Sequence, residues 1–441
     1  MASTATLTRD FVERPFWWDD APPGPTSDAP ALSSHADVAI IGAGVAGLTA
    51  AIHLARAGLD VTVIDRESVG WGASSRNGGA LSGAGSLGRA KPDLYRALGR
   101  DRLNALFAEA ETAFDDFESF VRTERLDCDY ARCGRFIGAH APKAMETLRK
   151  RAALLNETGR DRAELVEREA VREELATDRY HGGLRLERAG RVHPARYVAE
   201  LARVARETGA RLHGGVEALS VAGREGALRV ATSAGEIVCD KLMVATNGYT
   251  GDATPWHRDR LIPVASYMIA TQEIGEERVR ACLRQGRVYG DTKRVLYYFR
   301  ASPDGKRILF GGRASFSDAT ARQAAPTLRD FLVGLFPQLD DVQVTHAWKG
   351  NVAFAFDFFP HVGAADGVHY ALACNGSGVV MMTHLGACVA RRMLGRGEPS
   401  AFAALPFPSR PFYRGRPWFL PIVGASYQLR DRLDGWRAGS G

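Results

Sequence analysis

The stretch at residues 37–65, DVAIIGAGVAGLTAAIHLARAGLDVTVID, constrains the fold more than any other part of the chain. Residues 38–41 form an apolar run short enough for a buried parallel strand. Gly42-Ala43-Gly44-Val45-Ala46-Gly47 then turns directly into a helix of roughly four turns, and a second apolar run at 61–64 ends in Asp65. Strand, crossover helix and strand in that order require a parallel sheet, and the glycine spacing says what the first turn is for. Gly42 permits the tight turn, Gly44 lets backbone approach a pyrophosphate, and Gly47 lets the helix pack close to the strand. The free N–H groups around Val45 and Ala46, reinforced by the helix dipole, favour negative charge there. Asp65 can accept hydrogen bonds from a ribose diol and repels a 2′-phosphate, while Arg66 beside it keeps an NADP-type reading open. The unit as a whole predicts a bound dinucleotide.

At 441 residues the chain exceeds one ordinary core, so two interleaved domains are expected. A hydrophobic content of 45% fits a soluble globular enzyme. The formal charge is only +6, with arginines scattered along the chain, which gives no support to a nucleic-acid role. Such charge solubilises the surface or lends a mildly basic cleft to an acidic substrate. Cys128, Cys133, Cys239, Cys282, Cys374 and Cys388 lack CxxC spacing and read as reduced thiols. The eleven histidines show no HxH or HxxxH grouping, so no metal is expected. No signal peptide is visible, the run at 379–394 is broken by His384, Arg391 and Arg392, and 418–427 is short. The expectation is a cytoplasmic protein with no membrane span.

A second glycine-dense segment, Gly70-Trp71-Gly72-Ala73-Ser74-Ser75-Arg76-Asn77-Gly78-Gly79, has too many small residues to fill a core and reads as a shaped loop against a flat ligand. Residues 92–179 look mostly helical, with Leu103, Leu106, Phe107, Ala110, Phe114, Phe117 and Val121 at three-and-four spacing. A helix at 194–209 precedes strands at 211–216, 217–221, 228–232 and 236–244. The last of these runs into Ala245-Thr246-Asn247-Gly248, small enough to lie against a phosphate or ribose. Strands at 295–301 and 307–312 flank the turn Ser302-Pro303-Asp304-Gly305, and alternation puts Tyr298 with Arg300 on one face. Near the end, Asn375-Gly376-Ser377-Gly378 leads from a strand at 368–373 into a helix opened by Val379, a second anion-stabilising helix start.

The segments FWWDDAPP, IIGAGVAGLTAAIHLARAG, WGASSRNGG, VATNGYT, YYFRASPDGKRILFGGRASF, WKGNVAFAFDFFPHVG and ACNGSGVVMMTHLG follow one another in an order that resembles the glycine/D-amino acid oxidase-like flavoproteins, in their γ-glutamylputrescine oxidase-like branch. The resemblance implies FAD, in a Rossmann-type FAD-binding domain of the glutathione reductase-like kind within an α/β, two-domain architecture, roofed by an antiparallel-sheet substrate domain. It divides the chain into an arm (1–34), an FAD-binding domain (35–92, 185–262 and 350–399), a substrate domain (93–184 and 263–349) and a tail (400–441). Val216 joins the turns already named as an expected cofactor contact. The reaction class it implies is oxidation of an amine carbon-nitrogen bond to an imine, with oxygen reduced to hydrogen peroxide. Neither WGASSRNGG nor WKGNVAFAFD holds a Cys or His suited to covalent flavin attachment, so non-covalent FAD is expected, with Cys374 the one thiol that could upset this.

Tyr267, Tyr298, Arg300, Trp348 and His361 are substrate-side candidates without assigned partners, and Lys349 is a candidate cation for promoting oxygen reduction. A carboxylate-bearing amine would suit Tyr298 and Arg300, which favours a γ-glutamyl amine or an N-substituted amino acid. Two alternatives stand beside the oxidase: a dehydrogenase passing electrons to a quinone or carrier protein, and a flavin-binding protein without turnover. The sequence names neither the amine nor the oligomeric state.

Overall fold

The computed structural model describes residues 6–24, 31–87, 98–157, 162–315 and 319–439. Two large sheets carry the fold. In the eight-stranded sheet His35–Ile41 lies at the centre, parallel to Val61–Asp65 on one side and Gly235–Val244 on the other. Arg211–Gly214 extends it past Val61–Asp65, the meander Ala218–Arg224 and Ala227–Thr232 past Gly235–Val244, and Val368–Leu372 also pairs with Gly235–Val244. The helix predicted after the glycine turn spans Val45–Arg56, packed between Pro194–Glu207 and Gly378–Met393. Gly386 makes that contact possible, because a Cβ there would fall 2.5 Å from the Ala46 carbonyl oxygen.

The nine-stranded sheet runs in the order Leu7–Val12, Val344–Phe354, Ile262–Thr271, Ile308–Gly312, Tyr297–Ala301, Val288–Asp291, Arg135–Gly138, Gly183–Leu186, Ala163–Val166. Its two faces differ. Tyr267, Ile269, Tyr297, Phe299, Phe310 and Ala347 pack on the helix Ala321–Leu335, which a capping box of Thr320 and Gln323 starts. Met268, Ala270, Leu309, Trp348 and Tyr298 pack instead on Trp17 and Ala195.

Three features differ from the sequence expectation. Leu7–Val12 lies in the predicted arm, yet pairs in parallel with Val344–Phe354 and closes the sheet edge. The region expected to be mostly helical does hold Arg100–Thr123 and Pro142–Glu157, the first burying all seven stripe residues, but it also holds the strands Arg135–Gly138 and Ala163–Val166. Those strands are four residues each, too short for a period-2 pattern to stand out between helices. The 70–79 loop contains one helical turn, Ala73–Arg76.

Candidate active site

Each glycine of the first turn has a measurable constraint. Gly42 sits at φ +111°, and a Cβ on it would come 2.9 Å from the Ala245 carbonyl. A Cβ on Gly47 would be driven into the Gly42 carbonyl oxygen, so helix and strand could not approach as they do. At Gly44 a Cβ would meet only the Ser74 hydroxyl, at 2.7 Å. Ser74 Oγ accepts from the Val45 N–H at 3.1 Å, which shows that the helix start presents a donor toward the 70–79 segment. Asp65 accepts from the Ala43 and Glu67 N–H groups at 2.9 and 3.0 Å. Burial pushes its carboxyl up, against those two bonds and Arg66, which lower it. Each carboxylate oxygen keeps a lone pair for a ribose hydroxyl. Val216 donates its N–H to the Asp65 carbonyl at 2.9 Å, and exposed Arg66 has its guanidinium 5.9 Å from the Tyr249 ring centre.

The 70–79 segment is held from three sides. Trp17 and Trp348 donate their indole N–H groups to the carbonyls of Asn77 and Arg76 at 2.9 and 2.8 Å, and Trp18 donates to Ser75 Oγ at 3.0 Å. The Arg76 guanidinium lies between the rings of Trp18 and Trp71, 4.4 and 4.0 Å from their centres, and donates to the Trp71 carbonyl. Asn77 binds backbone on both sides, donating to the carbonyls of Ala73 and Ser74 and accepting from the Gly79 N–H. Gly72 faces the Tyr249 ring and Gly78 faces the Tyr298 ring.

The third turn is built from left-handed backbone at Ala373, Asn375 and Gly376, with φ between +49° and +88°. Asn247, itself at φ +45°, accepts from the Ala373 N–H at 3.0 Å and so ties the end of Gly235–Val244 to this turn. Thr246 Oγ1 lies 2.7 Å from Thr250 Oγ1, and Ala245 donates its N–H to Ile41. Ser377 precedes the helix that begins at Gly378 and Val379, and a Cβ on Gly376 would meet nothing within 4 Å. Phe354, Phe358, Cys374, Asn375 and Ser377 line a cavity at this point. Three turns from one sheet thus bring two helix starts together, with open space beside Gly376, an arrangement suited to a pyrophosphate and a flat ring system.

The substrate-side candidates do not gather in one place. Tyr298 shares its strand face with Arg300, as alternation requires, and its hydroxyl lies 3.0 Å from Ser266 Oγ; burial pushes the phenol up to about 12. Arg300 is only 2% exposed, and its guanidinium turns into the protein. It donates to the Val192 and Ala301 carbonyls at 2.7 and 3.0 Å, lies 3.8 Å from Asp129, and burial brings it down to about 10. Tyr267 and Lys349 are cross-strand partners on the opposite face, where both donate to the Ala319 carbonyl at 3.0 and 3.1 Å. That face is the one covered by Ala321–Leu335, away from the 70–79 segment. His361 stacks on Phe407 with ring centres 4.2 Å apart and bonds Asp357 at 3.0 Å.

Sequence reasoning passed over Arg313, the residue that follows the strand Ile308–Gly312. Among the described residues no hydrogen bond or ion pair reaches its guanidinium, which lies 5.0 Å from the Phe354 ring centre. Burial lowers its pKa, and the hydroxyls of Tyr427 and Tyr298 counteract that. An arginine next to a predicted hairpin gives no signal until the C-terminal helix Leu420–Gly439 is known to fold back beside it. Two ligand-type clusters also escaped spacing: Glu109 with His384 and Cys388, and His140 with Asp431 and Asp434. In both, the carboxylates already hold partners, Ser400 and the Ala401 N–H for Glu109, and Arg294 for the aspartates.

A dinucleotide turn, a second helix start beside it and a roofing sheet define a flavin-dependent oxidoreductase. Residues 37–392 match the family described as FAD dependent oxidoreductase, DAO, and the chain belongs to that family. It is 33% identical over 405 residues to a probable oxidoreductase OrdL of Rhizobium meliloti, covering 91% of this chain and 93% of the relative. It is 30% identical to the gamma-glutamylputrescine oxidoreductase of Escherichia coli, covering 90% and 93%. The crystal structure of glycine oxidase from Geobacillus kaustophilus superposes with a TM-score of 0.72 at 17% identity, covering 86% and 99%. FAD is the cofactor, and the chain is an enzyme of the class that oxidises amines and amino acids.

Proposed function

We propose that this protein oxidises the carbon-nitrogen bond of a small amine that also bears a carboxylate, a γ-glutamyl amine or an N-substituted amino acid, with oxygen as the acceptor. In balance, the amine, oxygen and water give an aldehyde or keto product, the released amine or ammonia, and hydrogen peroxide. FAD supplies the acceptor for the hydride equivalent. The turns at 42–47, 245–247 and 376–379 would hold it, with Asp65 at the adenosine ribose and the 70–79 segment against the ring. The residues on the sheet face above do the positioning. Met268, Trp348 and the Tyr298 ring make an apolar wall that penalises an ammonium and so favours the neutral amine needed for oxidation. Tyr298, its hydroxyl pushed up to about 12, stays protonated near neutral pH and serves as a hydrogen-bond donor rather than a base.

The observation that carries the reading is Arg313, a partly buried guanidinium beside Tyr298 with no carboxylate partner among the described residues. We assign it, in place of Arg300, to the substrate carboxylate; its fork matches that group in two parallel hydrogen bonds. The similarity to gamma-glutamylputrescine oxidoreductase, whose name specifies a γ-glutamyl amine, points the same way. Lys349 is not assigned to oxygen, since its ammonium engages Ala319 on the far face. The test is an anaerobic screen of γ-glutamyl amines, N-methyl amino acids, D-amino acids and plain polyamines, read as loss of oxidised-flavin colour, followed by peroxide yield in air. Colour loss with carboxylated amines and near-stoichiometric peroxide are expected. Reduction by plain diamines alone, or reoxidation that yields no peroxide, would overturn the substrate or the acceptor respectively.

A further inference from the structure

Residues 410–439 carry six arginines against two aspartates, with no lysine or glutamate. The helix Leu420–Gly439 has two unlike faces. Tyr427, Asp431 and Asp434, at i, i+4 and i+7, face the protein: Asp431 accepts from Arg294 Nη1 at 2.9 Å and from the Val295 N–H at 2.9 Å, and Asp434 from Arg294 Nη1 at 2.8 Å. On the other side stand Ile422, Leu429 and Leu433, at i, i+7 and i+11, with Trp418 one turn before Ile422. They are 69%, 59%, 43% and 73% exposed, and Phe412 in the approach to the helix is 96% exposed. Arg410, Arg414, Arg416 and Arg430 are exposed along the same segment.

A row of large apolar side chains left in water marks an interaction surface. Because both aspartates turn inward onto Arg294, what faces outward is apolar and cationic. We propose that this face docks the protein on an anionic lipid bilayer, with the helix lying in the plane of the interface. Apolar side chains enter the boundary between headgroups and acyl chains while arginines meet anionic headgroups. No helix of the described residues is long and apolar enough to cross a membrane, so the contact lies on the bilayer. A second copy would oppose one arginine-rich face to another, an arrangement that like charge disfavours. Tyr427 on the inner face lies toward Arg313, so docking brings the proposed substrate site next to the membrane surface. This inference stands apart from the substrate proposed above.

The test is flotation of the full-length holoenzyme with vesicles of phosphatidylglycerol mixed with phosphatidylcholine, and with phosphatidylcholine alone. The parent is expected to float with the anionic vesicles and to be released by high salt. The double variant Ile422→Glu, Leu429→Glu should lose at least about tenfold in vesicle affinity while keeping its flavin colour and its bleaching by amine. If that variant fails to fold, Arg416→Glu with Arg430→Glu carries the same expectation through charge alone. A parent that stays unbound to anionic vesicles at low salt, or a variant that floats as well as the parent, would overturn the proposal. So would a vesicle-free dimer of the parent that the same substitutions dissociate, since the face would then belong to a second copy.

Discussion

On the eight-stranded sheet the groups suited to the cofactor are backbone atoms at turns, at 42–47, 245–247 and 375–378, each held by a glycine or a left-handed residue. On the nine-stranded sheet the groups facing inward are side chains, and their direction depends on which strand lies beside which. Tyr298 and Lys349 show the contrast. They sit on strands of one sheet, yet one faces the 70–79 segment and the other the helix Ala321–Leu335. A backbone site is written in local spacing, so it survives without knowledge of the tertiary fold. A side-chain site is decided by strand register, where one residue changes the face.

The largest expected effect falls on the backbone side. Gly47→Val should abolish flavin retention, because its Cβ collides with rigid backbone at Gly42; a yellow, FAD-loaded variant would contradict that account of the turn. Gly44→Val should be milder than Gly47→Val, since the first obstacle is the Ser74 hydroxyl. Asp65→Ala should weaken FAD retention by about ten- to a hundredfold, from a charge-assisted hydrogen bond worth roughly 1.5 to 3 kcal/mol. Equilibrium dialysis of FAD measures it. FAD itself should pass intact into the supernatant on acid precipitation; flavin left on the denatured chain would direct attention to Cys374.

Arg300→Met sharpens the other half of the comparison. With its guanidinium bonded to Val192 and Ala301, the substitution should lower thermal stability and reduce activity toward carboxylated and uncharged amines alike. A selective loss for the carboxylated amine would return the clamp to Arg300. The smallest effect is a pH dependence at His384. Burial opposes its charge, but hydrogen bonds to Asp116, Cys388 and Glu109 prevail and raise it to about 11. A raised pKa stabilises the fold below the unfolded value near 6.5 and loses that contribution as pH climbs toward 11. The melting-temperature gap between the parent and His384→Gln should therefore narrow from pH 7 to pH 10, and a widening gap would reverse the sign.

The legibility of the chain follows the same division. Gly42, Gly44, Gly47 and Asp65 were readable because their spacing alone specifies strand, turn, helix and strand. The Tyr298 and Arg300 face was readable to the extent of alternation, and no further: whether a guanidinium on that face meets solvent, substrate or a carbonyl depends on Val192 and Trp17, more than a hundred positions away from it in each case. The role of the FWW segment was hidden for a related reason. Trp17 and Trp18 act through indole N–H bonds to Asn77 and Ser75, a pairing that no local pattern encodes. Arg313 escaped because its neighbours Phe354 and Tyr427 come from distant strands and from the C-terminal helix.

The central claim is that turns hold the cofactor and Arg313 selects the substrate. Its most direct test is rapid anaerobic mixing of the parent and Arg313→Met with 5-aminovalerate and with n-pentylamine, alongside FAD affinity of both proteins. The account predicts unchanged FAD affinity and a loss on the order of 10- to 100-fold in flavin reduction by 5-aminovalerate, with little change for n-pentylamine. Equal losses for the two amines, or a loss of FAD from the variant, would contradict it.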